Sequence, residues 1–320
     1  MRAAINTEYG PPEVVQLLEV EKPAPKENEV LIKVHATTVN RTDCGFRSAE
    51  YFVSRFFSGL LRPKFPTLGN EFAGEIEAIG SGVGLFRAGD KVFGYNDASF
   101  GAHAEYLTLA EQAAIATMPG NFTYEQAAPL CEGAHYALGA IRAAKVKSGH
   151  NLLIYGATGA IGSAAVQLAK FFGATVTAVC STPNVALVKS LGADVVIDYT
   201  TQDFTKTDQI FDFAFDACGK SSFTACKPLL TKNGIYISTE LGYRGANIFL
   251  ALITPALGGK KVLFPIPTIT KADVLFLKEL AETGRFKPVF DRQYPLEKIV
   301  EAYHYVETGQ KTGNVVITLG

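Results

Sequence analysis

Residues 151–162 read NLLIYGATGAIG. Four largely apolar residues, Leu152, Leu153, Ile154 and Tyr155, run into Gly156, Gly159 and Gly162, and residues 163–172 continue with helical periodicity. The order is strand, glycine turn, helix. The first glycine permits a tight turn, and the second lets a pyrophosphate approach the main chain. The third lets the helix pack on the strand, with its N-terminus facing the phosphates. Glycines alone would equally mark a tight turn in another parallel α/β fold. Here they sit in the context that a dinucleotide site requires.

That context continues downstream. Residues 174–180 read as a second strand, 184–191 as a helix ending at Gly192, and 194–198, 211–216 and 234–238 as three further strands. Strands alternating with helices give a doubly wound parallel sheet. Its ligand lies at the carboxyl ends of the strands, so the loops after Cys180, Asp198, Cys218 and Ser238 are expected to face it. The acidic residue that holds an NAD ribose at the end of the second strand is missing, since residues 180–184 read CSTPN. Hydroxyls there can donate to a 2′-phosphate, which favours NADP over NAD. The nearest cation is Lys189.

The first 120 residues differ in texture. Period-2 segments at 31–39, 70–79, 91–94 and 104–109, punctuated by glycine and proline, suggest a small barrel-like β domain. Residues 123–128 and 131–144 turn helical, and the closing strand 313–319 is expected to return to the first domain. The 320-residue length accommodates two domains. A formal net charge of -1 implies no nucleic-acid partner. The apolar stretch 248–257 is too short to span a bilayer and contains Pro255, so no integral membrane segment is expected. Five scattered cysteines without a C-x-x-C point to a reducing, cytoplasmic setting.

Gly69-Asn70-Glu71-Phe72-Ala73-Gly74, then Gly80, then Ala88-Gly89-Asp90-Lys91-Val92, resemble the signature of the medium-chain dehydrogenase/reductase superfamily. Val39-Asn40-Arg41-Thr42-Asp43, Gln167-Leu168-Ala169-Lys170, Leu191-Gly192-Ala193-Asp194 and Gly313-Asn314-Val315-Val316 extend the likeness along the chain. The resemblance implies an α/β fold. A GroES-like β domain (residues 1–121 and 288–320) joins a Rossmann doubly wound parallel sheet (122–287), with the active site in the interdomain cleft.

A catalytic zinc needs three protein ligands and an open position. Where the zinc branch of the family has a histidine, this chain has Asn70; its early cysteine is missing, and Cys44 falls a few residues too late. Cys131 alone cannot hold the metal, and no histidine clusters with a cysteine. No metal is therefore expected, and the chain resembles the zinc-independent quinone oxidoreductase branch. Without a Lewis acid, alcohol oxidation lacks a driver. An electrophilic quinone or α,β-unsaturated carbonyl needs only a positioned nicotinamide and hydrogen bonds to its oxygen. NADPH-dependent reduction of such an acceptor is the expected activity. The alternatives are a zinc-free alcohol or aldehyde dehydrogenase, or an NADPH-binding protein without turnover.

The resemblance also assigns residues. Asn40 is the expected catalytic donor to the acceptor oxygen, or else a turn cap. Asp43 orients it, pairs with Arg41, or caps the following helix. Cys44 and Phe46 would shape the substrate pocket; the family's tyrosine nearby is replaced by Gly45. Gly156, Ala157, Thr158, Gly159, Ala160, Ile161 and Gly162 match the pyrophosphate turn. Ser181, Asn184 and Tyr199 fall at the adenosine end, Thr239 and Leu241 at the nicotinamide half, and Asn314 where the closing segment nears the cofactor. The aromatic stretch 51–61, with Phe56 and Phe57, reads as a lid over an apolar substrate, as ordinary packing, or as a membrane-touching surface. In the family the strand matching residues 260–264 pairs with its twin, which implies a homodimer.

Overall fold

The computed structural model describes residues 1–50 and 55–320, with Phe57 described by its main chain alone. Along the chain the strands are β1 (Arg2–Ile5), β2 (Gln16–Glu19), β3 (Glu29–Val39), β4 (Glu71–Ile79), β5 (Lys91–Tyr95), β6 (Tyr106–Ala110) and β7 (Ile115–Thr117). They continue with β8 (Asn151–Tyr155), β9 (Thr175–Cys180), β10 (Val195–Asp198), β11 (Phe211–Asp216), β12 (Leu230–Ser238), β13 (Lys261–Leu263), β14 (Phe290–Pro295) and β15 (Asn314–Thr318). The chain forms two compact units. One comprises Met1–Glu132, Ile269–Gly284 and Pro288–Gly320; the other comprises Gly133–Thr268 and Arg285–Lys287.

In the first unit a seven-stranded sheet runs β14-β15-β3-β4-β5-β7, with β6 on β3, beside the antiparallel pair β1-β2. β3 is long and mostly buried because it is paired on successive stretches by β15, β4 and β6. Its core draws Ile32, Phe72, Ile76, Ile115 and Ile317 from the strands and Tyr303 from helix Ile299–Glu307. The closing segment 313–319 returns here as β15, antiparallel to β3.

In the second unit the sheet is parallel throughout, in the order β10-β9-β8-β11-β12-β13. This order reverses direction next to β8, so a crevice opens at the carboxyl ends of β8 and its neighbours. Leu153, Val179, Phe211, Tyr236 and Val262 fill the core on one face.

Element boundaries moved in two places. The expected helix 163–172 begins at Ala160, because Gly159 is its extended N-cap and the glycines hide the first turn from a periodicity reading. The expected strand 234–238 is the second half of β12. The first half pairs through Leu230, before a register shift between Phe211 and Phe213. The compact units also divide at other residues than 121/122 and 287/288. Helix Lys271–Glu282 belongs with the first unit, because Lys278 donates to Thr117 Oγ1 at 2.6 Å and Lys271 to the Glu111 carbonyl at 2.5 Å. Among the described residues, no helix is long and apolar enough to cross a membrane.

Candidate functional site

In the first unit, β3 ends at Val39 and helix Arg41–Ser48 starts immediately, with Asn40 as its N-cap. Asn40 Oδ1 accepts from the Asp43 main-chain N–H at 3.0 Å, and Asp43 Oδ2 accepts from the Asn40 N–H at 3.0 Å. This reciprocal capping box gives both residues the capping role that their spacing allowed. Asp43 Oδ1 also accepts from the Gly69 N–H at 3.0 Å, tying the helix start to the loop before β4.

The other end of the Asn40 amide faces Asn70. Asn40 Nδ2 donates to Asn70 Oδ1 at 2.8 Å. Asn70 Nδ2 donates in turn to Glu132 Oε2 at 3.1 Å and to the Tyr95 hydroxyl at 3.3 Å. Glu132 Oε1 accepts from Thr42 Oγ1 at 2.6 Å. Glu71 lies alongside, accepting from Thr38 Oγ1 at 2.7 Å and from the Cys131 and Glu132 N–H groups at 3.2 and 2.7 Å. Asn40 has two amide hydrogens, and one is engaged by Asn70. The other can serve an acceptor oxygen.

Apart from half-buried Thr42 these side chains are buried, and burial governs the charge of the ionisable ones. It pushes Asp43 up to about 8, with Glu132 adding to the rise and the Asn40 and Gly69 N–H groups opposing it. It pushes Glu71 up to about 8, again with help from Glu132. Burial lowers His103 to about 4, so its ring is neutral. The neutral ring donates from Nε2 to the Thr38 carbonyl at 2.7 Å and accepts from the Tyr303 hydroxyl at Nδ1. Burial also lowers Lys311, against the pull of Glu132 and Asp291; its Nζ donates to the Gly313 carbonyl at 2.6 Å.

The expected pocket residues separate. Cys44 is packed in the hydrophobic core of the unit, and burial pushes its thiol up to about 12, which removes it as a nucleophile. Phe46 packs on Phe100, ring centroids 4.9 Å apart. Phe56 stands 69% exposed. Residues 51–54 and the Phe57 side chain lie outside the described residues, so the lid expectation rests on the sequence there. Asn314 opens β15, where its amide donates to the Val289 carbonyl at 2.9 Å.

In the second unit each glycine of the turn has its own reason. Gly156 takes φ +77°, and a Cβ there would meet Cys218 Sγ at 2.6 Å. A Cβ on Gly162 would lie 2.0 Å from the Gly156 carbonyl oxygen, so the helix could not approach the turn. Gly159 is different: its φ is -68°, and the nearest atom to an added Cβ is 4.0 Å away. It caps helix Ala160–Phe171 without a side-chain cap. Gly156, Ala157, Thr158, Gly159, Ala160, Ile161 and Gly162 thus form a cradle beside a 12-residue helix whose leading N–H groups no side chain caps. That donor set fits a pyrophosphate.

At the carboxyl ends of β9 and β10, the structure gathers Ser181, Asn184 and Tyr199. Asn184 Nδ2 donates to Ser181 Oγ at 3.2 Å, and the Tyr199 N–H to the Cys180 carbonyl at 3.0 Å. Asp198, the last residue of β10, brings a carboxylate to the same end of the sheet. Asp198 accepts from Thr182 Oγ1 at 2.5 Å and from Thr200 Oγ1 at 2.7 Å. These bonds hold Asp198 below the usual carboxylate range, the Thr182 bond most of all. The register Asp198 to Cys180 in adjacent strands would have located it. Next to the glycine turn, buried Asp216 accepts from the Ser221 N–H at 2.8 Å and the Tyr236 hydroxyl at 3.2 Å, fixing the loop after β11. Thr239 is held by its N–H to the Asp216 carbonyl, and the Leu241 carbonyl accepts from the Asn247 N–H.

Asn70, Glu71, Glu132 and Lys311 were not named as site residues from the sequence. Charged residues in an alternating strand such as β4 look solvated, so only the Asn70 substitution was visible. Among the described residues, no three His, Cys, Asp or Glu side chains form a group able to hold a metal ion.

Comparison with known proteins agrees with this architecture. The family described as alcohol dehydrogenase GroES-like domain matches residues 26–120, and the family described as zinc-binding dehydrogenase matches residues 191–317. The chain is 33% identical to a 2-methylene-furan-3-one reductase of Solanum lycopersicum, covering 99% of this chain and 79% of that protein. It is 31% identical to an NADPH-dependent alkenal/one oxidoreductase, chloroplastic, of Arabidopsis thaliana, covering 99% of this chain and 79% of that protein. A quinone oxidoreductase structure from Coxiella burnetii superposes with a TM-score of 0.89 at 28% identity, covering 100% of this chain and 99% of that one. With this fold, this glycine cradle and similarity along its whole length, the chain belongs to the medium-chain dehydrogenase/reductase superfamily, in its quinone oxidoreductase branch.

Proposed function

We propose that this protein is an NADPH-dependent reductase of quinones or α,β-unsaturated carbonyls that works without zinc. The observation that carries the reading is the Asn40–Asn70–Glu132 chain. Where the zinc branch of the family has a histidine, the Asn70 amide is hydrogen-bonded at both ends, its oxygen to Asn40 and its nitrogen to Glu132. Two similar proteins are named for a methylene-furanone and for alkenals and alkenones, and a similar structure for quinones. All are small, electron-poor acceptors.

A nicotinamide dinucleotide whose pyrophosphate lay in the glycine cradle would supply the hydride. The chain's own residues orient the acceptor, and solvent supplies the proton that completes the reduction. The free amide hydrogen of Asn40 donates to the acceptor oxygen as negative charge builds there. Asn70 and the capping box keep that amide from rotating, which removes reorganisation from the reaction. Steady-state NADPH oxidation with a panel of quinones, enones and alcohols tests the reading. Turnover of alcohols alone would favour the dehydrogenase alternative, and tight NADPH binding without turnover a non-catalytic role.

Our assignment of NADPH rests on the Ser181 hydroxyl, whose oxygen accepts from Asn184 and whose own hydrogen is left to donate, and the name of the Arabidopsis relative supports it. Asp198 favours a second reading, NADH, because its carboxylate, bonded to Thr182 at the end of β10, would repel a 2′-phosphate at the adenosine end. The ratio of kcat/KM for the two cofactors decides between them.

We also infer a homodimer. β13 is an edge strand, and helix Ala246–Leu257 beside it exposes Phe249, Leu252 and Leu257. Sedimentation showing only monomer would remove it. The five cysteines are free, which supports a reducing compartment, and the cytoplasm is our assignment. Fractionation that recovers the protein with organelles would overturn it.

A further inference from the structure

Gly133 is the second residue of helix Glu132–Ala143, and a Cβ there would lie 2.5 Å from the Ala160 carbonyl oxygen and 3.1 Å from the Ile161 nitrogen. Ala160 and Ile161 belong to the first turn of helix Ala160–Phe171, the turn whose uncapped N–H groups border the glycine cradle. The main chains of the two helices therefore meet here without a side chain between them. A close-packed contact of this kind transmits displacement, because neither main chain can advance without moving the other.

One residue earlier, Glu132 is held from several sides. Its N–H donates to Glu71 Oε2 at 2.7 Å, its Oε1 accepts from Thr42 at 2.6 Å, and its Oε2 accepts from Asn70 at 3.1 Å. The Cys131 N–H donates to the same Glu71 oxygen at 3.2 Å. Asn70 Oδ1 accepts in turn from Asn40 Nδ2 at 2.8 Å. Asn40, Asn70, Glu132, Gly133 and Ala160 are all buried, so no step of this path runs through a loose surface side chain. The two compact units divide between Glu132 and Gly133, and the path crosses that division through a peptide bond.

We propose that Glu132 and Gly133 are positioning residues that couple the Asn40 amide to the cradle. A pyrophosphate seated on the first turn of helix Ala160–Phe171 stiffens the segment 131–133 and fixes that amide before a carbonyl acceptor arrives. That the acceptor oxygen meets Asn40 rests on the reductase reading; the path itself rests on the Gly133 contact and the Glu132 bonds. An acceptor that finds the amide already fixed has less disorder to remove on binding, so filling the cradle raises its affinity. By linkage the acceptor raises the affinity of the cradle's ligand by the same factor.

The test is calorimetric titration with cyclohexanone, a saturated ketone, of protein whose cradle is empty or filled with ADP-ribose or its 2′-phosphate. Both fragments carry the pyrophosphate and lack the nicotinamide, so no hydride is transferred. Wild type is expected to bind the ketone about tenfold more tightly with the cradle filled. Glu132→Ala removes both side-chain bonds and should bring that factor to about one, whereas Glu132→Gln keeps an acceptor for the Asn70 amide and should retain it. If Glu132→Ala does not fold, Gly133→Ala, whose methyl group pushes the Ala160 peptide away, should lose the factor as well. A purely structural role would weaken both ligands and leave the factor standing. Equal ketone affinity with the cradle empty and filled, no binding of the ketone or of either fragment, or a factor that survives Glu132→Ala and Gly133→Ala overturns the proposal. NADPH oxidation with cyclohexenone is measured in parallel. The factor without turnover would sink the reductase reading and leave the path standing; turnover without the factor would do the reverse.

Discussion

Asn40 and Asn70, thirty positions apart, are joined amide to amide at 2.8 Å. The bond holds the residue we propose as the donor to the acceptor oxygen, and it occupies the residue that stands where the zinc branch of the family has a histidine. Replacing Asn70 with leucine strands Glu132 Oε2 and leaves the Asn40 amide held only at its Oδ1, by the Asp43 N–H. The expected cost is about 2 kcal/mol of stability, from the unpaired buried carboxylate oxygen. A fall of about tenfold in kcat/KM should accompany it. Urea unfolding and steady-state kinetics on Asn70→Leu check both.

Asp43 gives stability a pH dependence of definite sign. Its pKa rises on folding from 3.8 to about 8, chiefly through burial. Between those values the folded chain keeps a proton that the unfolded chain has released. The group's contribution is therefore full below about pH 4 and is lost as pH rises through 8, with a slope of up to about 1.4 kcal/mol per unit. Asp43→Asn removes this share of the slope. At low pH the variant should be less stable by about 1–2 kcal/mol, because an amide NH₂ replaces an acceptor of the Asn40 or Gly69 N–H. The deficit should shrink toward pH 8. Unfolding curves across pH 5 to 9 report it.

Gly159 separates cofactor binding from folding. Nothing lies closer than 4.0 Å to an added Cβ, and its φ suits any residue. Gly159→Ala should change stability by less than about 1 kcal/mol. The methyl group nevertheless projects where the pyrophosphate approaches, so NADPH affinity should drop roughly tenfold or more. Fluorescence titration and thermal unfolding of one sample distinguish the two effects.

Asp198 sets a second cofactor prediction. Removing its charge with Asp198→Asn should raise the NADPH to NADH ratio of kcat/KM by about three- to tenfold, through lost repulsion of the 2′-phosphate. The gain should shrink at high salt. An unchanged ratio would place the 2′-hydroxyl region away from the Thr182–Asp198 pair.

The second sheet and its glycine turn were legible because each requirement is local. A left-handed turn at Gly156 and a close approach at Gly162 demand glycine wherever they occur. The loop after Asp198 was legible as one that faces the ligand; the contact of its carboxylate with Thr182 was not, because a one-strand fingerprint ignores the neighbouring strand, whose register brings the two together. Glu71 and Glu132 were illegible for another reason: hydrophobic patterning assigns charged residues to solvent, whereas here threonine hydroxyls and main-chain N–H groups satisfy them inside. The aromatic stretch at 51–61 suggested a lid by composition, but composition does not orient a side chain, and Phe56 stands exposed.

The most direct measurement is NADPH oxidation by the purified, full-length protein in the presence of a strong chelator, with elemental analysis of the same sample. Zinc-free reduction predicts turnover of a quinone or an enone at an unchanged rate, with far less than one zinc per chain. Activity that disappears with the chelator and returns with stoichiometric zinc would contradict it.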